Sequence, residues 1–349
     1  MNVNIYCGSK KTVEKSGVGR AMEHQQTILE KAHVKVNEGS LKNADIIHFN
    51  TVFPDSVINA IAAKIRGQKV VYYGHSTMED FKNSFIGSDL AAPLFKMWIK
   101  FCYSLGDVII TPTDYSKRLL ESYGIKKPIY AVSNGIDDKF WKKDAVGAKR
   151  FREKYGISKE CKVVLSVGHY IGRKGIVEFI NLAKKMPEIT FVWMGYTELC
   201  LVPAEIRNAI KNAPENVILP GYVSKEELRD AYSGSDIFAF MSHEETEGIV
   251  ILEGLAAGIT TLVRDIPVYN DWLTDGRDVY KCKEDADFEK RIRSIFDGQT
   301  VVPANMGKEV VKNHTYAEMG HKLLGVYADI YDTKTQKYGR MKRQMLYSR

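Results

Sequence analysis

Short apolar runs of three to six residues alternate with stretches of helical spacing along nearly the whole chain, and this alternation limits the fold more than any other feature. Asn2 to Cys7, Asp45 to Phe49, Lys69 to Tyr73, Val108 to Thr111 and Pro128 to Val132 read as strands. Val18 to Lys31, Ser56 to Arg66 and Tyr115 to Tyr123 read as helices between them. The pattern then restarts. Lys162 to Val167, Thr190 to Met194, Val217 to Leu219, Asp236 to Phe240 and Thr260 to Val263 are strand-like, with helices at Ile176 to Lys185 and at Ser224 to Tyr232, the latter opening on a capping box of Ser224 and Glu227. Further helices are expected at 267–274, 284–297 and Tyr316 to Tyr331. Strands alternating with helices imply doubly wound parallel sheets, which hold ligands at the carboxyl ends of their strands. A chain of 349 residues suits two domains of about 150 residues each. Asp138 to Lys154 is highly charged and weakly periodic, which places a linker there and a break near residue 145. The expected class is α/β, with two Rossmann-like domains.

Within the second half, Met241 to Gly258 is the stretch whose residue types ask for a charged ligand. A polar, acidic turn from His243 to Glu247 follows an apolar strand and leads into a helix with Ile249, Leu252 and Ala256 on one face and Gly258 as its stop. A helix opening at Gly248 presents free N–H groups and the positive end of its dipole, a seat for a diphosphate formed by the amides of Gly248, Ile249 and Val250. Glu245 and Glu253 are too far apart to share a proton and read as grips on different parts of one long ligand. Taken alone, both are equally compatible with solvated surface glutamates.

The run from Glu245 to Glu253 resembles the E-x7-E signature of retaining glycosyltransferases of family 4, which have the GT-B fold of two Rossmann-like domains facing across a cleft. The usual Gly-Phe after the first glutamate is Thr246-Glu247 here, a departure similar to that of the diacylglycerol glycosyltransferases that make glycolipids in Gram-positive bacteria. Gly168 to Gly175 resembles the family's G-R-x(n)-K-G element, in which two cations neutralise the donor diphosphate. Lys174 matches the lysine, His169 stands where the arginine is usual, and Arg173 is the substitute charge. The resemblance implies a donor-sugar contact for His75, which by itself reads as a structural histidine. It implies a place near the donor phosphates for Gly17 and Gly19, otherwise glycines of a tight βα turn. Tyr222 and Val223 fall at the loop that meets the nucleobase, and Ser133 to Asp137 matches the element at the domain junction. The implied boundaries are 1–145 for the acceptor-facing domain, 146–315 for the nucleotide-sugar domain, and 316–349 for a final helix and basic tail crossing back to the first domain.

Charge is unevenly spread: residues 1–150 carry about +7, residues 151–330 about −5, and residues 331–349 about +5. The basic ends imply an anionic partner. Leu90 to Tyr103 interleaves aromatic and basic residues. At helical spacing Leu94, Trp98, Phe101 and Cys102 share one face and Lys96 and Lys100 another, which suits a helix in a membrane interface and equally a core helix with a lysine edge. Nucleic acid is not expected, since no binding motif accompanies the charge. Cys7, Cys102, Cys161, Cys200 and Cys282 are scattered, with no metal-ligand spacing. The N-terminus has no basic segment followed by an apolar one, so a cytoplasmic protein held peripherally at the inner face of the membrane is expected.

The combined reading is a hexosyltransferase moving glucose or galactose from a UDP-sugar to a lipid acceptor, foremost monoglucosyl-diacylglycerol. His75, Glu245 and Lys174 are its catalytic residues, Arg173, Gly248, Ile249, Val250 and Glu253 hold the donor, and Lys96, Trp98, Lys100 and Phe101 face the acceptor membrane. As in the family, no metal or other cofactor is expected. Diacylglycerol itself, a soluble or polyprenyl-linked acceptor, a non-catalytic nucleotide-binding subunit and a sugar-nucleotide epimerase remain as alternatives.

Overall fold

The computed structural model describes residues 1–346 apart from 15, 38–40 and 304, and side chains as far as residue 331 apart from residue 10. The chain divides into two compact units. One comprises Met1–Thr77, Lys96–Gly135 and the segment from Tyr316; the other comprises Met78–Phe95 and Ile136–Thr315.

The first unit is built on strands β1 (Asn2–Tyr6), β2 (Lys35–Asn37), β3 (Ile46–Phe49), β4 (Lys69–Tyr73), β5 (Val108–Thr111) and β6 (Ile129–Ala131). They form one sheet in the order β2-β1-β3-β4-β5-β6, with every pairing parallel. The strand order reverses between β1 and β3, the switch point of a doubly wound sheet. β3 and β5 are buried along their whole length, as parallel strands covered on both faces must be, and their Val and Ile content follows from that. The long helix Tyr316–Leu346 contributes Tyr316, Met319, Leu323, Val326, Tyr327 and Ile330 to the core that also holds Val3, Ile28, Val71 and Ile110. Its Tyr327 hydroxyl is hydrogen-bonded to His48 Nε2 of β3 at 2.7 Å. The expectation that the basic residues of 331–349 reinforce a membrane face lies outside the described side chains.

The second unit repeats the plan with β7 (Val163–Val167), β8 (Thr190–Met194), β9 (Val217–Gly221), β10 (Ile237–Phe240), β11 (Thr260–Arg264) and β12 (Tyr280–Cys282), in the order β12-β11-β10-β7-β8-β9. All its pairings are parallel as well. Here the switch point lies between β7 and β10. Phe179, Phe191 and Trp193 are fully buried in its core and pack edge to face; burying each such side chain contributes about 1.5–3 kcal/mol.

Three local expectations are corrected. The charged stretch before residue 154 is not a linker: Ala145–Lys154 is a helix capped by Asp144, whose side chain accepts from Val146 N–H. Arg150 pairs in a fork with Asp230 at 2.9 and 3.0 Å, and Trp141 packs edge-on against Tyr232. These contacts tie 136–154 to the second unit, so the division falls at Gly135/Ile136, where Gly135 has φ 72°. The helix Ile249–Ala257 buries Ile251 through Leu255, because it lies within the core instead of on its surface. The stretch 267–274 forms a single turn, Pro267–Tyr269, with Pro267 favouring its start.

Candidate active site

In the second unit, the loops that leave β7 and β10 at the switch point carry Lys174 and Glu245. Gly175 follows Lys174 in the left-handed conformation, φ 80°, and a Cβ there would stand 2.7 Å from the Met241 carbonyl oxygen. Only glycine lets these two loops approach so closely. Lys174 Nζ then reaches Glu245 Oε1 and lies 5.4 Å from the centre of the Phe240 ring. Both side chains are nearly buried, at 14% and 8% exposure. Burial pushes the Lys174 ammonium down, against the opposing pull of Glu245. Burial would raise the Glu245 carboxyl, but the Lys174 and Arg173 charges outweigh it and hold the group below the ordinary carboxylate value. Glu245 is therefore a carboxylate near neutral pH, facing the Lys174 side chain.

Four residues beyond Glu245 the helix Ile249–Ala257 begins. Its N-cap Gly248 has φ 89° and, as a glycine, supplies no side-chain cap, so the N-cap position itself does not compete with an incoming anion. A Cβ at Gly248 would stand 3.2 Å from Ile251 Cδ1 and 3.5 Å from the Tyr269 hydroxyl. That hydroxyl is fully buried and has no partner among the described residues. Glu253 lies inside the helix at 1% exposure, with its Oε2 accepting from the Tyr232 hydroxyl at 3.2 Å.

Arg173 is a clasp. Its Nη1 donates to the Glu244 carbonyl at 2.6 Å and lies 2.9 Å from Asp80 Oδ1 and 3.6 Å from Glu245 Oε1. Its Nε donates to Ser84 Oγ at 3.4 Å, and its N–H to the Asn83 carbonyl at 3.3 Å. His169 Nδ1–H donates to the Tyr196 carbonyl at 2.8 Å, and burial, with the nearby cations, keeps the ring neutral. Tyr222, half exposed, and Val223 follow β9. Lys174, Arg173, Glu245 and the Gly248 amides thus gather at one switch point, whereas Tyr222 and Val223 stand at the end of a different strand.

In the first unit, His75 lies just past β4. Its Nε2–H donates at 3.0 Å to Asn50 Oδ1, which also accepts from Gln25 Nε2 at 2.7 Å, and its ring stacks on Tyr73. Burial pushes its imidazole down to about 4, so the ring is neutral with Nδ1 left as an acceptor. Gly17 opens the helix Gly17–Lys31 behind its N-cap Ser16, and a Cβ at Gly19 would fall 2.4 Å from the Glu14 carbonyl oxygen. Close packing alone accounts for that glycine.

On the helix Ser88–Ser104, the expected apolar face is rotated. Cys102 is buried and the Trp98 indole N–H donates to the Val52 carbonyl at 2.7 Å, so Trp98 is spent on packing. Leu90, Leu94, Met97 and Phe101 are the exposed stripe. Lys96 Nζ sits 4.4 Å above the Tyr123 ring, and Lys100 is exposed. Among the described residues no helix is long and apolar enough to cross a membrane.

The residues that sequence reasoning missed are Asp80 and Tyr269. A carboxylate in a Glu79-Asp80-Phe81 run and a tyrosine after a proline carry no periodic signal, and only tertiary structure brings them to Arg173 and Gly248.

Two doubly wound parallel sheets in tandem, the second with a basic and an acidic side chain at its switch point, are the architecture of the GT-B class. Residues 148–313 match the model of glycosyl transferases group 1, and residues 31–140 match that of glycosyltransferase family 4. The chain is 36% identical over 335 residues to a processive diacylglycerol alpha-glucosyltransferase of Acholeplasma laidlawii, covering 96% of this chain and 100% of that one. It is 24% identical to an alpha-galactosylglucosyldiacylglycerol synthase of Streptococcus pneumoniae, covering 95% and 89%. Among solved structures, Anabaena HepE in complex with UDP-glucose superposes with a TM-score of 0.75 at 16% identity, covering 94% and 99%, a likeness of fold. The chain belongs to glycosyltransferase family 4.

Proposed function

We propose that this enzyme transfers a hexose from a UDP-sugar to a membrane glycolipid, foremost monoglucosyl-diacylglycerol, with retention at the anomeric carbon. The observation that carries the proposal is the Lys174–Glu245 pair at the second unit's switch point, next to the helix start at Gly248. A diphosphate seated there meets a fixed cation and oriented amides. As the bond from the anomeric carbon to the diphosphate breaks, negative charge grows on the departing phosphate oxygen, and Lys174 with the amides of Ile249 and Val250 stabilises it. The acceptor hydroxyl forms the new bond to the anomeric carbon, and its proton passes to the departing diphosphate. In this reading Glu245 holds Lys174 in place and meets the sugar, Glu253 meets the ribose, and His75, neutral and fixed by Asn50, orients the sugar through Nδ1.

The names of the full-length relatives support a diacylglycerol-based acceptor and an α-linked product, and retention from an α-linked UDP-hexose leaves an α linkage. The relative's processive action on diacylglycerol favours a second reading, with diacylglycerol itself as first acceptor. The exposed stripe of Leu90, Leu94, Met97 and Phe101, with Lys96 and Lys100 on the same helix, supports peripheral docking on an anionic membrane.

The test is to incubate the protein with UDP-glucose or UDP-galactose and either lipid, then to analyse products by mass and by anomeric configuration. Release of UDP that depends on lipid and yields an α-linked glycolipid is expected. Conversion of the donor without lipid would overturn the proposal in favour of an epimerase or hydrolase.

A further inference from the structure

The segment that follows His75 leaves the first unit's sequence to pack with the second. Met78–Phe81 forms one helical turn. Phe81 stacks on Phe95, with ring centres 4.2 Å apart and 19° between planes. Ser84 Oγ donates to the Asp80 carbonyl at 2.8 Å, and Asn83 N–H donates to Asp89 Oδ1 at 3.0 Å. These contacts hold the Asp80 carboxylate 2.9 Å from Arg173 Nη1, within the field of Lys174 and Glu245.

Two cations and two carboxylates therefore share this corner, and their charges cancel. A nucleotide diphosphate brings about two further negative charges, so it gains full attraction only if one resident carboxylate gives way. The two carboxylates differ. The Glu245 side chain is 8% exposed, whereas that of Asp80 is 27% exposed. Burial pushes the Asp80 carboxyl up, against Arg173 and with the help of Glu245, whereas Glu245 is held down. Asp80 is the anion whose charge the site favours less.

We propose that Asp80 is a resident counter-ion of the donor site, neutralising Arg173 when no nucleotide is bound and ceding that guanidinium to the donor diphosphate. Asp80 thereby sets donor affinity and, by re-forming its pair with Arg173, favours release of UDP. The inference rests on the donor-site reading above.

Calorimetric titration of UDP into wild type, Asp80→Asn, Asp80→Ala and Lys174→Ala tests it, with thermal melting of each protein recorded alongside. Both Asp80 variants should bind UDP more tightly, by roughly tenfold, with melting temperatures no higher than that of wild type. A group that only braced the fold gives no such gain. Unchanged or weaker UDP binding in both Asp80 variants, while Lys174→Ala abolishes binding, overturns the counter-ion role and leaves the donor site standing. Wild-type affinity retained in Lys174→Ala overturns the donor-site reading and the inference with it.

Discussion

Lys174 and Glu245 are separated by 71 positions and meet because both follow strands that flank one switch point. Each supplies the counter-charge that makes burial of the other tolerable. Glu245→Gln removes that charge while keeping the shape. Turnover is expected to fall by about 10²- to 10³-fold, while stability measured by urea unfolding falls by about 1–3 kcal/mol, with Asp80 still facing Arg173. Turnover equal to that of wild type would remove Glu245 from its assigned role. The run from Glu245 to Glu253 was legible because its spacing of acidic residues and glycine is local. Asp80 was not, since a carboxylate gains meaning only from the cation beside it.

The helix Tyr316–Leu346 returns to the first unit and gives the apolar side chains from Tyr316 to Ile330 to its core. His48 of β3 and Tyr327 of this helix form a fully buried bond, and burial pushes the His48 imidazole down to about 3 from 6.5. The unfolded chain takes up a proton near pH 6.5 that the folded one refuses. The contribution is therefore whole above that pH and is lost as pH falls toward the folded value. Urea unfolding from pH 7.5 to 5 should show falling stability, with a shallower slope in His48→Gln; an identical slope would show that another group carries the dependence. His75, lowered to about 4, acts with the same sign. The stretch Ala145–Lys154 teaches the converse lesson: its charges looked like linker charges, yet Arg150 and Asp230 spend theirs on each other.

Over the whole molecule, the positive charge of residues 1–150 belongs almost wholly to the first unit, whose helical surface also exposes Ile58, Ile61 and Ile65 on Pro54–Ile65 and Met97 and Phe101 on Ser88–Ser104. Apolar side chains beside lysines on the same helix suit anionic lipid better than water alone. Lys96→Glu with Lys100→Glu should weaken sedimentation with phosphatidylglycerol vesicles several-fold and flatten its salt dependence. Equal sedimentation of both proteins would confine the helix to a packing role.

The sequence by itself determined that there are two parallel α/β units and where the inner strands stand, because backbone pairing in buried sheets demands short apolar runs at regular intervals; the three-residue edge strands Lys35–Asn37 and Tyr280–Cys282 left no such run. It also marked the turn and helix start from Glu245 to Glu253, because glycine and acidic residues at fixed local spacing leave a record in the chain. Only the tertiary structure decided which charges neutralise one another, which face of Ser88–Ser104 is outward, and that Trp98 and Ala145–Lys154 serve packing. Those outcomes depend on contacts between segments far apart in the chain, and a Coulomb pair or an indole hydrogen-bonded to a distant carbonyl leaves no period in the sequence on either side of it.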